Sequence, residues 1–447
     1  MHWKAKKIIL NHKLTTMGLK LRLIVMNFLQ YAVWGAYLTS MGTYLGSIGL
    51  ASNIGIFYAM QGIVSIFMPA LIGIIADRWI PAQRMLGVCH FLAACFMIAA
   101  GYYGLTAGSE AQFSILFPLY SLSVAFFMPT IALSNSVAYG VLGNAGLDTV
   151  KHFPPIRVFG TVGFICAMLT TNFLKFDGIS MQALPHQLIF SGLIGLALAL
   201  YTFTLPKLSI EKTNKKKSVV EALGLNAFAL FKDKKMAIFF IFSMLLGVSL
   251  QITNGYANPF ITSFKEIPEF ANTFGANNAN ALISLSQISE TLCILLIPFC
   301  LRKFGIKKVM LMAMFAWVLR FGLFGAGNPG PGVWMFILSM IVYGIAFDFF
   351  NISGSLFVDK ETDKSIRSSA QGLFMMMTNG FGATIGTLGA QAVVNHFVYS
   401  EADPMAQIQG WSTSWYVFAG YALVVAIVFA IVFKYKHNPE EMKDVKV

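Results

Sequence analysis

Long apolar stretches alternate along the chain with short segments that are rich in charged residues, glycine or proline. Twelve stretches are long enough to cross a membrane as helices, and they fall at residues 23–45, 54–76, 84–105, 113–139, 156–174, 187–206, 236–263, 279–301, 308–326, 333–357, 368–395 and 411–433. A bilayer core requires about 20 apolar residues per helix and tolerates no open backbone hydrogen bonds. The pattern therefore predicts an all-α membrane protein with twelve transmembrane helices.

The composition excludes an ordinary soluble protein. Hydrophobic residues make up 57% of the 447 residues and charged residues only 11%, compared with roughly 45–50% and about 25% in soluble domains. The five cysteines lie in apolar stretches without a CxxC pair, so we interpret them as core residues. The chain contains no HExxH, GxSxG or P-loop motif, and we therefore expect no enzymatic activity, no metal and no cofactor.

The formal net charge of +13 is distributed unevenly along the predicted topology. If the N-terminus lies inside the cell, 28 of the 32 Lys and Arg residues fall in inner loops and tails, and the outer loops hold only Lys175 and Lys265. Such an excess is typical of cytoplasmic loops. The charge therefore indicates a membrane face and no nucleic acid partner, and we predict that both termini are cytoplasmic.

The longest inner segment separates six predicted spans from six others. We predict a basic cytoplasmic N-terminus (1–22), an N-terminal six-helix bundle (23–206), a cytoplasmic inter-bundle loop (207–235), a C-terminal six-helix bundle (236–433) and a cytoplasmic tail (434–447). The turns after spans two and eight, at residues 73–78 and 302–308, form a weak internal repeat. Such a repeat is typical of transporters whose two halves are related by an axis along the membrane normal.

Several strings of residues carry a family resemblance. Gly73, Asp77 and Arg78 resemble the gating loop of the major facilitator superfamily. Longer strings resemble its bacterial nucleoside/proton symporters, namely FPPIRVFGT (153–161), FSMLLG followed by LQITN (242–254), SQISET (286–291) and YGIAFDFFNISGS (343–355). The resemblance extends from about Met17 almost to Lys436. It implies the major facilitator fold and proton-coupled uptake of nucleosides by alternating access, in a multi-pass protein of the bacterial inner membrane.

Two acidic residues, Glu290 and Asp348, lie within predicted spans. Charged groups in hydrocarbon are costly and mark functional sites by default, although a buried ion pair with Arg157 or Arg320 is a structural alternative. Asp348 is flanked by phenylalanines, and desolvation there favours the neutral acid over the carboxylate. The resemblance implies that Asp348 couples protons to transport.

Polar residues recur at helical spacing on two neighbouring spans. The first stripe comprises Gln251, Asn254 and Asn258, and the second comprises Gln287, Glu290 and Thr291. Amides also bond helices to each other, but two stripes and an acid together favour a cavity. The resemblance implies that the substrate contacts Arg157, Thr161, Phe164, Gln251, Asn254, Gln287, Glu290, Tyr343 and Phe347. Further candidates are Gln30, Trp34, Tyr37, Gln61, Gln371, Thr378 and Asn379.

These residue types suit a neutral, polar nucleoside. Amides and a carboxylate bond ribose hydroxyls and base edges, and aromatic faces stack a base, whereas a phosphate ester would require a basic cluster. We expect a monomeric carrier in the lipid bilayer whose partners are nucleosides and protons. Two alternatives stay open, a proton-independent facilitator or sugar carrier of the same fold, and a receptor that binds without translocation.

Residues 1–16 precede the resemblance. They combine Lys4, Lys6, Lys7 and Lys13 with Trp3 and further apolar side chains. This composition predicts a short helix on the anionic inner leaflet, and an upstream start codon is the alternative. We expect the segment to contribute nothing to the cavity.

Overall fold

The computed structural model describes the backbone of residues 2–209, 225–363 and 366–436, and their side chains except those of residues 2–16, 77, 78, 150, 225 and 368. The α-helices in this part of the chain are α1 (His2–Gly35), α2 (Met41–Ser47), α3 (Ile54–Arg78), α4 (Ala82–Ala107), α5 (Phe113–Asn144), α6 (Thr149–Phe173), α7 (His186–Tyr201), α8 (Lys234–Leu250), α9 (Ile252–Ser263), α10 (Phe274–Asn277), α11 (Ala279–Ile294), α12 (Ile297–Ala326), α13 (Val333–Glu361), α14 (Arg367–Met375), α15 (Ala383–Phe397) and α16 (Pro404–Val432). The protein is thus helical, as predicted.

Shorter elements connect these helices. Turns of 3-10 helix cover Ala51–Asn53, Gly108–Glu110, Met181–Ala183, Thr202–Thr204, Leu225–Lys232 and Phe264–Glu266, and a π-helical turn covers Met376–Gly382. One small antiparallel hairpin, which the sequence did not predict, pairs β1 (Lys175–Phe176) with β2 (Ile179–Ser180). Most of the predicted inter-bundle loop, residues 210–224, and nearly all of the predicted tail, residues 437–447, lie outside the described residues.

Nine helical segments of the described chain are long and apolar enough to cross a membrane. They correspond to predicted spans two to seven, nine, ten and twelve, and cover Ala51–Ala76, Ala82–Glu110, Phe113–Asn144, Lys151–Phe173, His186–Thr204, Lys234–Glu266, Ile297–Ala326, Val333–Glu361 and Pro404–Val432. The other three predicted spans coincide with shorter or interrupted helices. A turn at residues 36–40 separates α1 from α2, α11 has 16 residues, and the π-helical turn separates α14 from α15.

Span eight ends earlier than its apolar pattern predicts. Helix α11 ends at Ile294, because Pro298 has no N–H to donate to the Ile294 carbonyl and instead begins α12. The basic turn predicted near residues 302–308 is present as a break inside α12. Gly305 has a φ of 79° there, a left-handed conformation that glycine adopts without steric penalty.

The helices pack in two sets, a first set of α1–α7 and a second set of α8–α16. In the first set α1 packs on α6 and α4 packs on α5 and α7, while in the second set α12 packs on α13 and α16. The sets meet where α2 contacts α9, where α3 contacts α15 and the π-helical turn, and where α6 contacts α11. At Gly42 the approach is so close that a Cβ would lie 2.4 Å from the Gly255 carbonyl oxygen. Small residues permit such contacts between membrane helices.

Polar side chains join the two sets at one end of the molecule, which we call the closed end and define by the connections at residues 48–53, 174–185 and 264–278. Asn258 Oδ1 accepts a hydrogen bond from Thr43 at 2.6 Å, and its Nδ2 donates to Gln182 Oε1 at 3.1 Å. Asn280 Oδ1 accepts from Thr39 at 2.9 Å and from Asn258 at 2.7 Å.

The Asn280 amide also donates to Thr171 Oγ1 at 3.1 Å. We call Thr39, Thr43, Thr171, Gln182, Asn258 and Asn280 the amide clasp. Both asparagines are fully buried, so the amide clasp forms a dry polar contact between the sets. It also shows that Asn258 does not line the cavity with Asn254, as the stripe on span seven had suggested.

Candidate substrate and proton site

The two predicted intramembrane acids lie within electrostatic range of one another and of an arginine from the other set. Glu290 is on α11, Asp348 on α13 and Arg157 on α6, and the charges of Glu290 and Arg157 act on Asp348. Within the described residues, neither acid has a basic nitrogen within 4.0 Å. The structural alternative of a buried ion pair is therefore not supported.

Neither carboxyl group forms a hydrogen bond with a residue in the described part of the chain. Asp348 is 7% exposed, and its Oδ2 is buried without a partner among the described residues. Glu290 is partly exposed and forms no hydrogen bond with another described residue. Because buried polar groups in proteins are nearly always hydrogen-bonded, the buried oxygen of Asp348 marks a place where a proton or a ligand supplies the missing bond.

An aromatic ring that the sequence analysis missed supports Arg157. The guanidinium carbon of Arg157 lies 3.8 Å from the ring centroid of Tyr31 on α1, and Tyr31 is also within electrostatic range of Glu290. A guanidinium over an aromatic face gains cation–π energy. No sequence pattern indicates that Tyr31 contacts Arg157, since the two residues meet only when α1 and α6 pack together.

Two predicted aromatic residues form one wall of the site. The rings of Tyr343 and Phe347, one helical turn apart on α13, stack with a centroid distance of 5.6 Å and an interplanar angle of 21°. Tyr343 is within electrostatic range of Glu290 and Asp348. The wall therefore lies beside the two acids.

The third predicted aromatic, Phe164, packs on the first set. Trp34 meets it edge to face with a centroid distance of 6.4 Å. The indole N–H of Trp34 donates to Gln61 Oε1 at 3.2 Å, and Gln61 donates to the Tyr120 hydroxyl at 3.0 Å. Of the further candidates, Trp34 and Gln61 thus belong to the same group of contacts as Phe164 within the first set.

The predicted amides of span seven lie at a break in the helix. Gln251 is the single residue between α8 and α9, and Asn254 donates to its Oε1 at 2.7 Å. Both side chains are partly exposed. Interrupted helices present polar groups in transporter cavities, so this pair is available to a ligand.

The remaining predicted contacts, Gln287 and Thr161, are partly exposed as well. The Gln287 amide has no side-chain hydrogen bond with a described residue, and Thr291 donates back to the Gln287 carbonyl at 3.1 Å. The electrostatic contacts bring together Arg157, Glu290, Asp348 and Tyr343, while no contact between described residues ties Thr161 or the pair Gln251 and Asn254 to them.

The other candidates contact residues outside the predicted site. Gln30 bonds Thr130 and His90 at 2.7 Å inside the first set. Gln371 bonds Ser355, Thr378 bonds the Phe374 carbonyl, and Asn379 contacts the Met375 sulfur, while Tyr37 is buried against Tyr120. No hydrogen bond or ring contact between described residues ties these side chains to Glu290 or Asp348.

The predicted gating loop is only partly described. Gly73 lies in α3, where a Cβ would meet nothing within 4 Å, so packing does not require a glycine. The side chains of Asp77 and Arg78 lie outside the described residues. In the described part of the chain, no cluster of His, Cys, Asp and Glu is arranged to hold a metal ion.

Comparisons with known proteins agree with the resemblance. Residues 17–438 match the family described as nucleoside H+ symporter. The xanthosine permease of Escherichia coli K12 is 47% identical over 430 residues, which cover 96% of this chain and 99% of that protein. The nucleoside permease NupG of the same strain is 46% identical over 425 residues, which cover 94% and 97% of the two proteins.

Solved structures agree with the fold. A crystal structure of the nucleoside transporter NupG matches with a TM-score of 0.83 at 45% identity, covering 94% of this chain and 100% of that one. A D-xylose-proton symporter, at 13% identity, shares the fold alone, with a TM-score of 0.67 over 97% of this chain and 100% of that one. The protein is therefore a transporter and not an enzyme, and the predicted family is confirmed. The chain belongs to the nucleoside H+ symporter family.

Proposed function

We propose that the protein takes up nucleosides together with protons across the bacterial inner membrane, by alternating access around the site between the two sets of helices. The observation that carries this proposal is the group of Glu290, Asp348 and Arg157. These charged side chains lie where α6 of the first set faces α11 and α13 of the second set, without ion pairs between them. A carrier whose two halves rock around a midplane site needs such a group at their interface.

Each predicted contact has a role in this proposal. Glu290, Gln287, Gln251 and Asn254 offer acceptors and donors to ribose hydroxyls and base edges, and Tyr343, Phe347 and Phe164 offer aromatic faces to the base. Thr161 and Arg157 contribute a hydroxyl and a guanidinium from the first set. Asp348, buried beside this group with an unpartnered oxygen, takes up and releases the coupled proton.

The proposed topology has twelve crossings, with residues 23–206 and 236–433 as two six-helix halves and both termini in the cytoplasm. The nine long helices support it, and α1 with α2, α11, and α14 with α15 supply three further crossings. The closed end carries Lys175 and Lys265, whereas basic residues such as Arg84 and Lys235 lie toward the opposite end. With the positive-inside rule, the closed end faces outward.

The conformation is then inward-facing. The amide clasp is buried at the outer end, while Arg157, Glu290 and Gln287 in the interior are partly exposed. Solvent therefore reaches them from the cytoplasmic side. We further propose that the carrier works as a monomer, since both faces of the site come from one chain.

Transport in proteoliposomes tests the proposal. Purified protein should accumulate labelled xanthosine or uridine against its concentration gradient when an inward proton gradient is imposed, and a protonophore should reduce uptake to equilibration. Liposomes without protein serve as the control. Uptake that ignores the protonophore would indicate a facilitator, uptake of xylose in place of nucleosides a sugar carrier, and binding without flux a receptor.

A further inference from the structure

A second arginine packs against the aromatic wall. Arg320 on α12 is 1% exposed and forms no ion pair with a described acid. Its guanidinium carbon lies 4.5 Å from the ring centroid of Tyr343 and 5.2 Å from that of Phe324. A buried cation in a membrane helix is costly, so its retention calls for a specific role.

The hydrogen bonds of Arg320 tie it to the helix that carries the wall. Its Nη1 donates to the Ser339 carbonyl at 2.7 Å, and the Ser339 hydroxyl donates back to the Arg320 carbonyl at 3.0 Å. Ser339 lies one helical turn before Tyr343 on α13. The guanidinium is therefore fixed by the same helix whose ring it covers.

The Arg320 guanidinium also contacts α11, the helix that carries Glu290. Arg320 Nη1 lies 3.5 Å from the hydroxyl of Ser286, and Ser286 donates to the Met340 sulfur at 3.0 Å. Ser286 directly precedes Gln287, a proposed substrate contact. Arg320 thus contacts α11 at Ser286, next to Gln287, and α13 at Ser339, one turn before Tyr343.

We infer that Arg320 is a positioning residue for nucleoside recognition, which holds the Tyr343 ring in the orientation that lets Tyr343 and Phe347 stack on the base. This inference rests on the proposed function of the wall. The guanidinium suits the task because it is planar and covers an aromatic face while its nitrogens donate in fixed directions. An ammonium can lie over the ring but lacks this geometry.

The experiment compares Arg320→Met with wild type in nucleoside binding and in transport. A desolvated cation–π contact is strong enough that its loss should raise Kd and KM about five- to thirtyfold. The maximal rate and the proton-to-nucleoside ratio should stay within about twofold. Xanthosine should lose more affinity than uridine, because its larger base covers more of the wall. Arg320→Lys should recover part of the loss, and Arg320→Gln should not.

A double-mutant cycle distinguishes positioning from general packing. In a Tyr343→Leu background, Arg320→Met should have less than about a twofold further effect, since the ring through which it acts is gone. Ser339→Ala, which removes only the returning hydrogen bond, is the matched control and should bind normally. If Arg320→Met does not reach the membrane, the comparison of Arg320→Lys with Arg320→Gln replaces it.

Three results would overturn the inference. The first is an unchanged Kd in folded Arg320→Met, and the second is a loss of affinity by Arg320→Met that is as large in the Tyr343→Leu background as in the wild type. The third is a changed proton-to-nucleoside ratio with normal affinity. Wild-type protein that binds no nucleoside would instead contradict the proposed function itself, so the two failures are distinguishable.

Discussion

Asn254 and Asn258 lie one turn apart on α9, yet they have opposite environments. Asn258 is fully buried and bonds Thr43, Gln182 and Asn280 across the two sets. Asn254 is partly exposed, and among the described residues its side chain bonds only Gln251. The same residue type, on the same helix face, thus forms a structural contact at Asn258 and part of a proposed binding site at Asn254. What distinguishes the two is whether protein atoms satisfy the side chain.

The same contrast holds between whole regions. The amide clasp consists of neutral groups that bond one another, whereas the central site contains two acids and an arginine that form no ion pair with any described residue. Breaking a neutral clasp requires no change in protonation, so the outer contact can open and close in either protonation state of the site. We therefore expect proton coupling to depend on the central site alone, and conformational balance to depend on both regions.

The largest effect is expected at Asp348. Asp348→Asn keeps the shape of the side chain and removes its proton exchange, so uphill accumulation in proteoliposomes should be abolished, while counterflow of labelled nucleoside continues. Asp359→Asn is the matched control, since Asp359 is an exposed acid on the same helix that pairs with Arg367 at 3.0 Å. Its uptake should stay normal. Unchanged accumulation by Asp348→Asn would refute the assignment.

A smaller but still large effect is expected at Glu290. A hydrogen bond to a charged group contributes about 1.5–3 kcal/mol, so Glu290→Ala should weaken nucleoside binding in detergent by about ten- to a hundredfold. Glu269→Ala removes an exposed acid near the closed end and serves as the control. 2′- and 3′-Deoxynucleosides should bind the wild type more weakly and lose little more in Glu290→Ala. If Glu290→Ala binds nucleosides as tightly as the wild type, Glu290 has a structural role and does not contact the substrate.

The pair on α9 provides the most direct test of the comparison. Asn258→Ala leaves several clasp groups without partners, and each such loss costs about 1–3 kcal/mol. The outward-open population should therefore rise at least about tenfold, measured by thiol labelling of Thr262→Cys in a cysteine-free background. Asn254→Ala should leave labelling unchanged and lower affinity instead.

A second asparagine controls for position at the closed end. Asn277 bonds only backbone carbonyls of its own segment through its side chain, those of Ala271 and Thr273. Asn277→Ala should therefore not alter labelling. If Asn254→Ala changes labelling as strongly as Asn258→Ala does, the two regions do not act separately.

The sequence predicted the helical membrane fold, the family and the two intramembrane acids, because those properties depend on apolar length, charge in hydrocarbon and long matching strings. It did not separate Asn254 from Asn258, since residues four apart lie on the same face of a helix and differ only in their position along its axis. Tyr31 and the role of Arg320 were also missed. Each of these two assignments depends on a guanidinium that lies over an aromatic ring from a distant segment. The spacing of residues along the sequence does not reveal such a contact.

The smallest effect is expected at the N-terminus, outside both regions compared above. The family match begins at residue 17, and the amide clasp and central site contain no residue before Tyr31. Residues 1–16 carry four lysines, whose charge belongs to the side that the other basic loops already define. A chain that starts at Met17 should therefore insert with the same orientation and transport with a KM within about twofold of the full chain, because KM reports substrate interactions that the deletion leaves in place. Orientation is measured by labelling the closed end from outside, and Lys4→Gln with Lys6→Gln provides a milder control. A large rise in KM in correctly inserted protein would show that the segment reaches the transport machinery, and the division into a clasp and a site would then be incomplete.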